Sequence, residues 1–201
     1  MIIVEYDKEW PDNFNKIKKE LENNVGFFAS IEHIGSTAIK GMCGKPIIDI
    51  IIVVNGMDSF NQLKNDLEIK FGYYHVGDWG IDGREVFKRK NSLHKMSDLE
   101  MSLLDKNIFL SNGNIKSNVL DTIEHNLYIC HRDAEVLKSL ILFRDYLNKN
   151  HDALLRYNQI KREIIENCGN EDYNKYVITK EKNYSHFFNE IIDKANNEQK
   201  R

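Results

Sequence analysis

Residues 47–54 read Ile-Ile-Asp-Ile-Ile-Ile-Val-Val, and this run constrains the fold more than any other stretch of the chain. β-Branched side chains are stiff at χ1 and suit the pleat of a strand. A strand with one wet face alternates apolar and polar residues, so a run that is apolar at nearly every position must be covered on both faces. The expected fold class is therefore α/β (α+β): a mixed β-sheet with flanking helices and this strand near its centre. Asp49 interrupts the run. A buried, unpaired carboxylate costs several kcal/mol, so Asp49 is expected to face a metal ion, a cation or an opening at the strand end.

The rest of the chain reads as one domain over residues 1–201, with a sheet core to about residue 131 and a helical C-terminal layer over about 134–197. Its 201 residues suffice for one sizeable core, and two prolines with no low-complexity stretch leave little room for a linker. Ile2–Tyr6 is expected to open the sheet as a strand. Pro11 suits the first turn of a helix, where its missing N–H is unsatisfied in any case; Phe14, Ile17 and Leu21 follow at helical spacing. Ser30–Ile34 reads as a strand ending at Gly35, Asp58–Lys70 as a helix, Gly72–Val76 and Glu85–Lys88 as weaker strands, and His125–Cys130 as a strand. Residues 92–122 are polar, with a turn signal at Ser111-Asn112-Gly113-Asn114, and are expected to form an excursion holding one short helix or hairpin. Three apolar stripes then mark the helical layer: Val136, Leu140, Phe143 and Leu147; Ala153, Tyr157, Ile160 and Ile164; Tyr184, Phe188, Ile191 and Ala195.

Charge and composition narrow the partners. A formal net charge of −3 and a pI near 6.2 give no global basic field for nucleic acid. The run Arg84, Lys88, Arg89, Lys90 lacks interleaved aromatic platforms and reads as a solvated strand edge. The apolar run at 47–54 is far shorter than the ~20 residues that span a bilayer, so no membrane partner is expected. Charges crowd the N-terminus where a signal peptide needs an apolar stretch. Cys43, Cys130 and Cys168 form no CxxC pair and no even set, which suits free thiols in a reducing, cytoplasmic setting.

Chemistry concentrates in residues 31–54. The strand ending at Ile34 runs into Gly35-Ser36, where a glycine permits close backbone approach to a ligand and the serine adds a hydroxyl. Thr37 is placed to begin a short helix, and Lys45 puts a cation just before the strand that carries Asp49. Gly-Ser followed about a dozen residues later by an aspartate in a buried strand is also the outline of the nucleotidyltransferase superfamily. More specifically, Glu32-His33-Ile34-Gly35-Ser36-Thr37-Ala38-Ile39, Gly41 and Lys45-Pro46-Ile47-Ile48-Asp49-Ile50 resemble the signature of the GrpB family. Val4, Tyr6-Asp7 and Trp10-Pro11 resemble its opening, His125-Asn126-Leu127-Tyr128 its later strand, Phe143-Arg144-Asp145-Tyr146-Leu147 a helix motif, and Tyr176, Lys180, Phe187-Phe188 and Ala195 its closing helix. The likeness does not extend over residues 72–124.

That resemblance implies a nucleotidyltransferase-like fold, a domain that also occurs fused to dephospho-CoA kinase, and a nucleotide or other phosphate-bearing small molecule as ligand. It implies that Gly35, Ser36 and Thr37 hold phosphate oxygens, that Asp49 is the principal ligand of a divalent metal (Mg²⁺ or Mn²⁺), and that Lys45, Arg144 and Lys180 contact anions. His33 and His125 are expected to point into the same pocket. A second metal-binding carboxylate belongs two residues after Asp49, where this chain has Ile51; Glu32, Asp78, Asp82 and Glu85 are the candidate replacements. Together, His33, Asp49 and His125 would suit a softer ion such as Mn²⁺ or Zn²⁺. Plainer alternatives stand beside these: Ser36 and Thr37 as helix caps, Asp49 paired with Lys45 or Arg144, His33 and His125 as packing residues, Arg144 and Asp145 as a surface pair, and Lys180 on a solvated face. The reaction implied is metal-dependent nucleotidyl or related phosphoryl transfer to a small acceptor. A nucleotide- or coenzyme A-type binding module and an interaction scaffold are the alternatives.

Overall fold

The β-branched run forms a central strand. In the computed structural model, which describes residues 3–26, 28–89, 117–168 and 173–199, five strands make one sheet. They are β1 (Ser30–Ile34), β2 (Ile48–Val54), β3 (Tyr74–His75), β4 (Arg84–Lys88) and β5 (His125–His131), in the spatial order β1-β2-β5-β4-β3. β2 is antiparallel to β1 and parallel to β5, while β4 is antiparallel to both β5 and β3, so the sheet is mixed as expected.

Both faces of β2 are covered, by different helices. On one face Ile48, Ile50, Ile52 and Val54 join Leu127, Ile129 and Phe87 under α1 (Trp10–Asn24), α2 (Met57–Ile69) and α3 (Asn118–Thr122). Each of these aliphatic side chains contributes roughly 1.5–3 kcal/mol when fully buried. The opposite face carries Ile34, Ile51, Val53, Val86, Tyr128 and Cys130 and is met by Leu137 of α4 (Glu135–Lys149). Helices α5 (His151–Cys168) and α6 (Tyr173–Gln199) complete a C-terminal layer. That layer has its own core of Phe143, Leu147, Tyr157, Ile164, Phe187 and Ile191, with Ile39, Met42 and Cys43 supplied by the loop between β1 and β2.

Four expectations change. Ile2–Tyr6 is not a strand among the described residues: only Val4 bridges, to Gly44, because the segment beside it is the β1–β2 loop and offers a single rung. The strand expected over Gly72–Val76 shrinks to Tyr74–His75, since the Tyr73 N–H is drawn 3.0 Å to the Leu67 carbonyl at the end of α2. The α4 stripe divides. Leu137, with Val136 and Leu140, turns to the sheet, while Phe143 and Leu147 turn to the helical layer. On α5 the buried line is Leu154, Tyr157, Asn158, Lys161, Ile164 and Cys168, with Ala153 and Ile160 on its flank, so two polar residues occupy an apolar seam. Of the polar excursion, residues 117–122 form α3, capped by the Ser117 hydroxyl accepting the Leu120 N–H; the turn at 111–114 lies outside the described residues.

Candidate functional site

The site is built where β1 hands the chain to β2. In the antiparallel register Ile34 faces Asp49, so the turn that follows is laid directly over the aspartate. Gly35 takes φ 71°, and a Cβ there would overlap the Asp49 carboxylate; only glycine lets the turn close at that point. The short helix expected at Thr37 is a single 3-10 turn over Ser36–Ala38, beginning one residue earlier. Asp49 is half-buried and finds two donors on β5. The Asn126 amide gives its Nδ2–H to Oδ1 at 2.8 Å, and the Tyr128 hydroxyl donates to the same oxygen at 3.0 Å. No donor among the described residues reaches Oδ2, which lies against Gly35.

Sequence reasoning missed the residue that defines the site. Lys161 projects from α5 with 2% of its surface exposed, and its Nζ donates to the Ser36 hydroxyl at 2.6 Å and to the Cys43 carbonyl at 2.5 Å. The ammonium also sits 4.7 Å from the Tyr157 ring centroid. Burial pushes its pKa down to about 7, and the charges of Lys180 and Lys45 push the same way, against the opposing pull of Asp49. Thus Lys45 and Lys180, from two other segments, both act on Lys161, whose ammonium reaches Ser36. Gly44 lets the loop pass this cluster, since a Cβ there would stand 2.7 Å from the Ser36 Cβ. One signal pointed to Lys161: Tyr157, Lys161, Ile164 and Cys168 follow heptad spacing, so a lysine occupies a position where the helix buries its seam.

The remaining candidates fall elsewhere. Side chains of facing residues share a sheet face. His33 faces Ile50 and His125 faces Ile48, so both histidines lie on the face opposite Asp49. His125 is fully buried; its Nδ1–H donates to the Ile123 carbonyl at 2.7 Å, which leaves Nε2 to accept the Tyr73 hydroxyl at 2.6 Å. Burial lowers its pKa to about 4. His33 stacks on Phe14 and bonds the buried Thr37 hydroxyl at 2.9 Å; burial, helped by Arg144, lowers its pKa to about 4 as well. The expectation that the two histidines share a pocket with Asp49 is therefore corrected, as is the softer-metal triad that depended on it. Arg144 anchors α4 to β1 through the Glu32 carboxylate at 3.1 Å and the His33 carbonyl at 2.9 Å, and it also bonds Asp145 at 2.7 Å. Burial works against its cation, and the two carboxylates outweigh that and raise its pKa.

Three of the four alternative carboxylates are engaged elsewhere. Glu32 is engaged by Arg144, Glu85 lies on the other face with His75 and Lys64, and Asp78 accepts the Gly80 N–H. No group of three His, Cys, Asp or Glu among the described residues is arranged to hold a metal ion. One oxygen of Asp49 is loaded with two hydrogen bonds, so Oδ2 is the oxygen it could offer a Mg²⁺, whose six ligands would otherwise come from water and a bound phosphate. What Ser36 and Lys161 are suited to hold is an anion, through one hydroxyl and one buried ammonium.

Known proteins agree with this architecture. The family model described as GrpB protein matches residues 1–194. The chain is 31% identical over 194 residues to the glutamate-rich protein GrpB of Alkalihalophilus pseudofirmus, covering 96% of this chain and 94% of that one. It is 25% identical over 180 residues to the UPF0157 protein YqkA of Bacillus subtilis, covering 89% of this chain and 43% of that longer protein. A crystal structure of the conserved protein GrpB from Enterococcus faecalis superposes with a TM-score of 0.68 at 22% identity, over 96% of this chain and 98% of that one, which is a likeness of fold. No helix among the described residues is long and apolar enough to cross a membrane. With the family's match running almost end to end, this chain belongs to the GrpB family.

Proposed function

We propose that this chain binds a phosphate-bearing small molecule, a nucleotide or a coenzyme A-type ligand, with its phosphate oxygens at Ser36, Lys161, Lys45 and Lys180. The observation that carries this reading is the buried Lys161 ammonium, 2.6 Å from the Ser36 hydroxyl and repelled by two other lysines. A buried ammonium is costly without a counter-ion, and an anion at Lys161 relieves it. Charge-assisted hydrogen bonds from a buried ammonium are about twice as strong as neutral ones, so the same feature supplies affinity.

Asp49 favours a second, finer reading in which the bound group is transferred. Its Oδ2 has no donor among the described residues and lies against Gly35 of the Gly35-Ser36 turn. In that reading the carboxylate accepts the proton of an acceptor hydroxyl as the new O–P bond forms and pyrophosphate leaves. The divalent ion expected from the family resemblance is an arm of the experiment rather than a part of the site.

The test is thermal unfolding against ATP, coenzyme A and pyrophosphate, each with and without Mg²⁺ or Mn²⁺. A ligand at about a hundred times its Kd adds ~2.7 kcal/mol, which for a chain of this size is a shift of roughly 5–10 °C. Lys45→Ala and Ser36→Ala should reduce that shift. A flat panel refutes phosphate binding. Asp49→Asn should leave binding in place while abolishing pyrophosphate release; turnover that survives the substitution refutes the transfer reading.

A further inference from the structure

The sheet face that carries Asp49 continues across β5 and β4 to a second polar cluster that the phosphate site does not use. Cross-strand neighbours there are Asp49 with Asn126, then Asn126 with Lys88, while Tyr128 faces Val86 and Cys130 faces Arg84. Over these residues folds segment 77–83, whose Trp79 ring stands 5.8 Å from the Arg84 guanidinium, 5.4 Å from the Lys88 ammonium and 6.4 Å from the Tyr128 ring.

Three atoms in this cluster are buried without a hydrogen-bond partner among the described residues: Trp79 Nε1, Arg84 Nε and Asn126 Oδ1. Arg84 is 8% exposed and Asn126 9%. The guanidinium of Arg84 has aromatic rings beside it, Tyr128 at 5.0 Å and Trp79, but no carboxylate partner among the described residues. Buried polar atoms are nearly always satisfied, and a buried charge without a counter-ion is costlier still. Trp79 adds a further oddity, since it holds φ 55°, a region a bulky side chain seldom adopts. Segment 77–83 begins and ends on glycines of positive φ, Gly77 at 83° and Gly83 at 77°, which let the chain make the two turns that lay Trp79 over the sheet.

We infer that this cluster is a second binding subsite, one that takes a small acid carrying a hydroxyl or amino group next to its carboxylate. The hydrogen-bonding character of the unsatisfied atoms sets the class of ligand. Two unsatisfied donors, Arg84 Nε and Trp79 Nε1, call for an oxyanion, and the one unsatisfied acceptor, Asn126 Oδ1, calls for an O–H or N–H. Because Asn126 spends its Nδ2–H on Asp49, a ligand group held on its Oδ1 stands next to that carboxylate. Strands are ~4.8 Å apart, and Asn126 on β5 stands one strand from Lys88 on β4 and one strand from Asp49 on β2. The subsite's role as the acceptor site rests on the transfer reading above; its ability to bind does not.

The experiment uses the full chain without nucleotide. D-Glycerate and L-serine are the probes, glycerol and propionate the controls that lack the carboxylate or the second polar group. Binding is followed by calorimetry and by tryptophan emission, for which Trp79 is the reporter, since the other tryptophan, Trp10, is buried under the opposite face. We expect at least one probe to bind saturably in the millimolar range and to change the emission, with neither control doing so, and Trp79→Phe to lose the optical response. Arg84→Met should weaken binding roughly ten- to a hundred-fold while keeping or raising the midpoint of unfolding, because it removes an uncompensated buried charge. Response of neither probe, equal response to propionate, or a midpoint that falls by several degrees in Arg84→Met overturns the subsite. The ATP shift, measured on the parent protein beside the two probes, separates the two proposals: an ATP shift without probe binding sinks only the subsite, and probe binding without an ATP shift sinks only the phosphate site.

Discussion

Lys161→Met, compared with the parent between pH 7 and pH 8.5, tests the electrostatics of the phosphate site most directly. In the folded chain the lysine titrates at about 7, mainly through burial; in the unfolded chain it titrates near 10.4. Across this window the unfolded state keeps its proton while the folded state sheds one, so the unfolded state binds more protons and stability must rise with pH. Lysine 161 goes from half-charged to almost neutral over the window, and integrating the difference gives ~1.5 kcal/mol, or roughly 3–6 °C in Tm. Methionine keeps the length and removes the titration, so its pH profile should lack this increment. Staying below pH 8.5 limits interference from Cys43, whose thiol is pushed up by burial. Calorimetric unfolding in anion-poor buffers at four pH values suffices. Adding inorganic phosphate should restore the charge on Lys161 and flatten the parent's slope. Parallel profiles for parent and variant refute the buried, depressed lysine and with it the anion site built on it.

Gly35→Ala should destabilise by about 2–3 kcal/mol, because the new Cβ meets the Asp49 carboxylate at a φ of 71°; a urea midpoint unchanged from the parent would contradict the close approach. Arg144→Leu strips the Glu32 carboxylate and the His33 carbonyl of their shared donor and should cost roughly 2–3 kcal/mol in chemical denaturation; a loss under ~0.5 kcal/mol would assign Arg144 to the surface pair with Asp145 instead. His33 and His125 are both held near 4, below the unfolded value of about 6.5, so the stability tied to their neutral forms is complete above pH 6.5 and lost as pH falls toward 4. From pH 7 to pH 5 that loss amounts to ~2 kcal/mol for each histidine, and urea midpoints that do not differ between these pH values would refute it.

How much of this was legible depended on whether a residue's neighbours in sequence were also its neighbours in space. β2 announces itself as a run of β-branched residues, and β1 and β5 as short segments carrying Ile or Leu. The turn at Gly35 and the burial of Asp49 were readable for the same reason. Which face a side chain takes was not: His33 and Asp49 look adjacent in the signature, but one register step in a pleated strand sends them to opposite sides of the sheet. The partners of Asp49, Asn126 and Tyr128, come from a strand whose neighbour cannot be chosen from local pattern. Lys161 was overlooked because a helical stripe is conventionally read from its apolar members, and a lysine buried among them is assigned to the wet face by habit. Arg84 was read with Lys88 as a solvated edge, whereas both are buried beneath Trp79.

The pairing of β2 with β5 has a consequence for how the chain comes into being. Those two strands lie side by side, yet residues 55–124 separate them along the chain, and Lys161 arrives later still on α5. Contacts of such long sequence separation form slowly, since the intervening chain must be closed before they return any stability. During synthesis the Gly35-Ser36 turn and Asp49 leave the ribosome well before either of the strand donors or the lysine that completes the cluster. A nascent or truncated chain ending before α5 should therefore show helices and hairpin structure while having no affinity for phosphate, which makes ligand capture an all-or-none property of the finished fold.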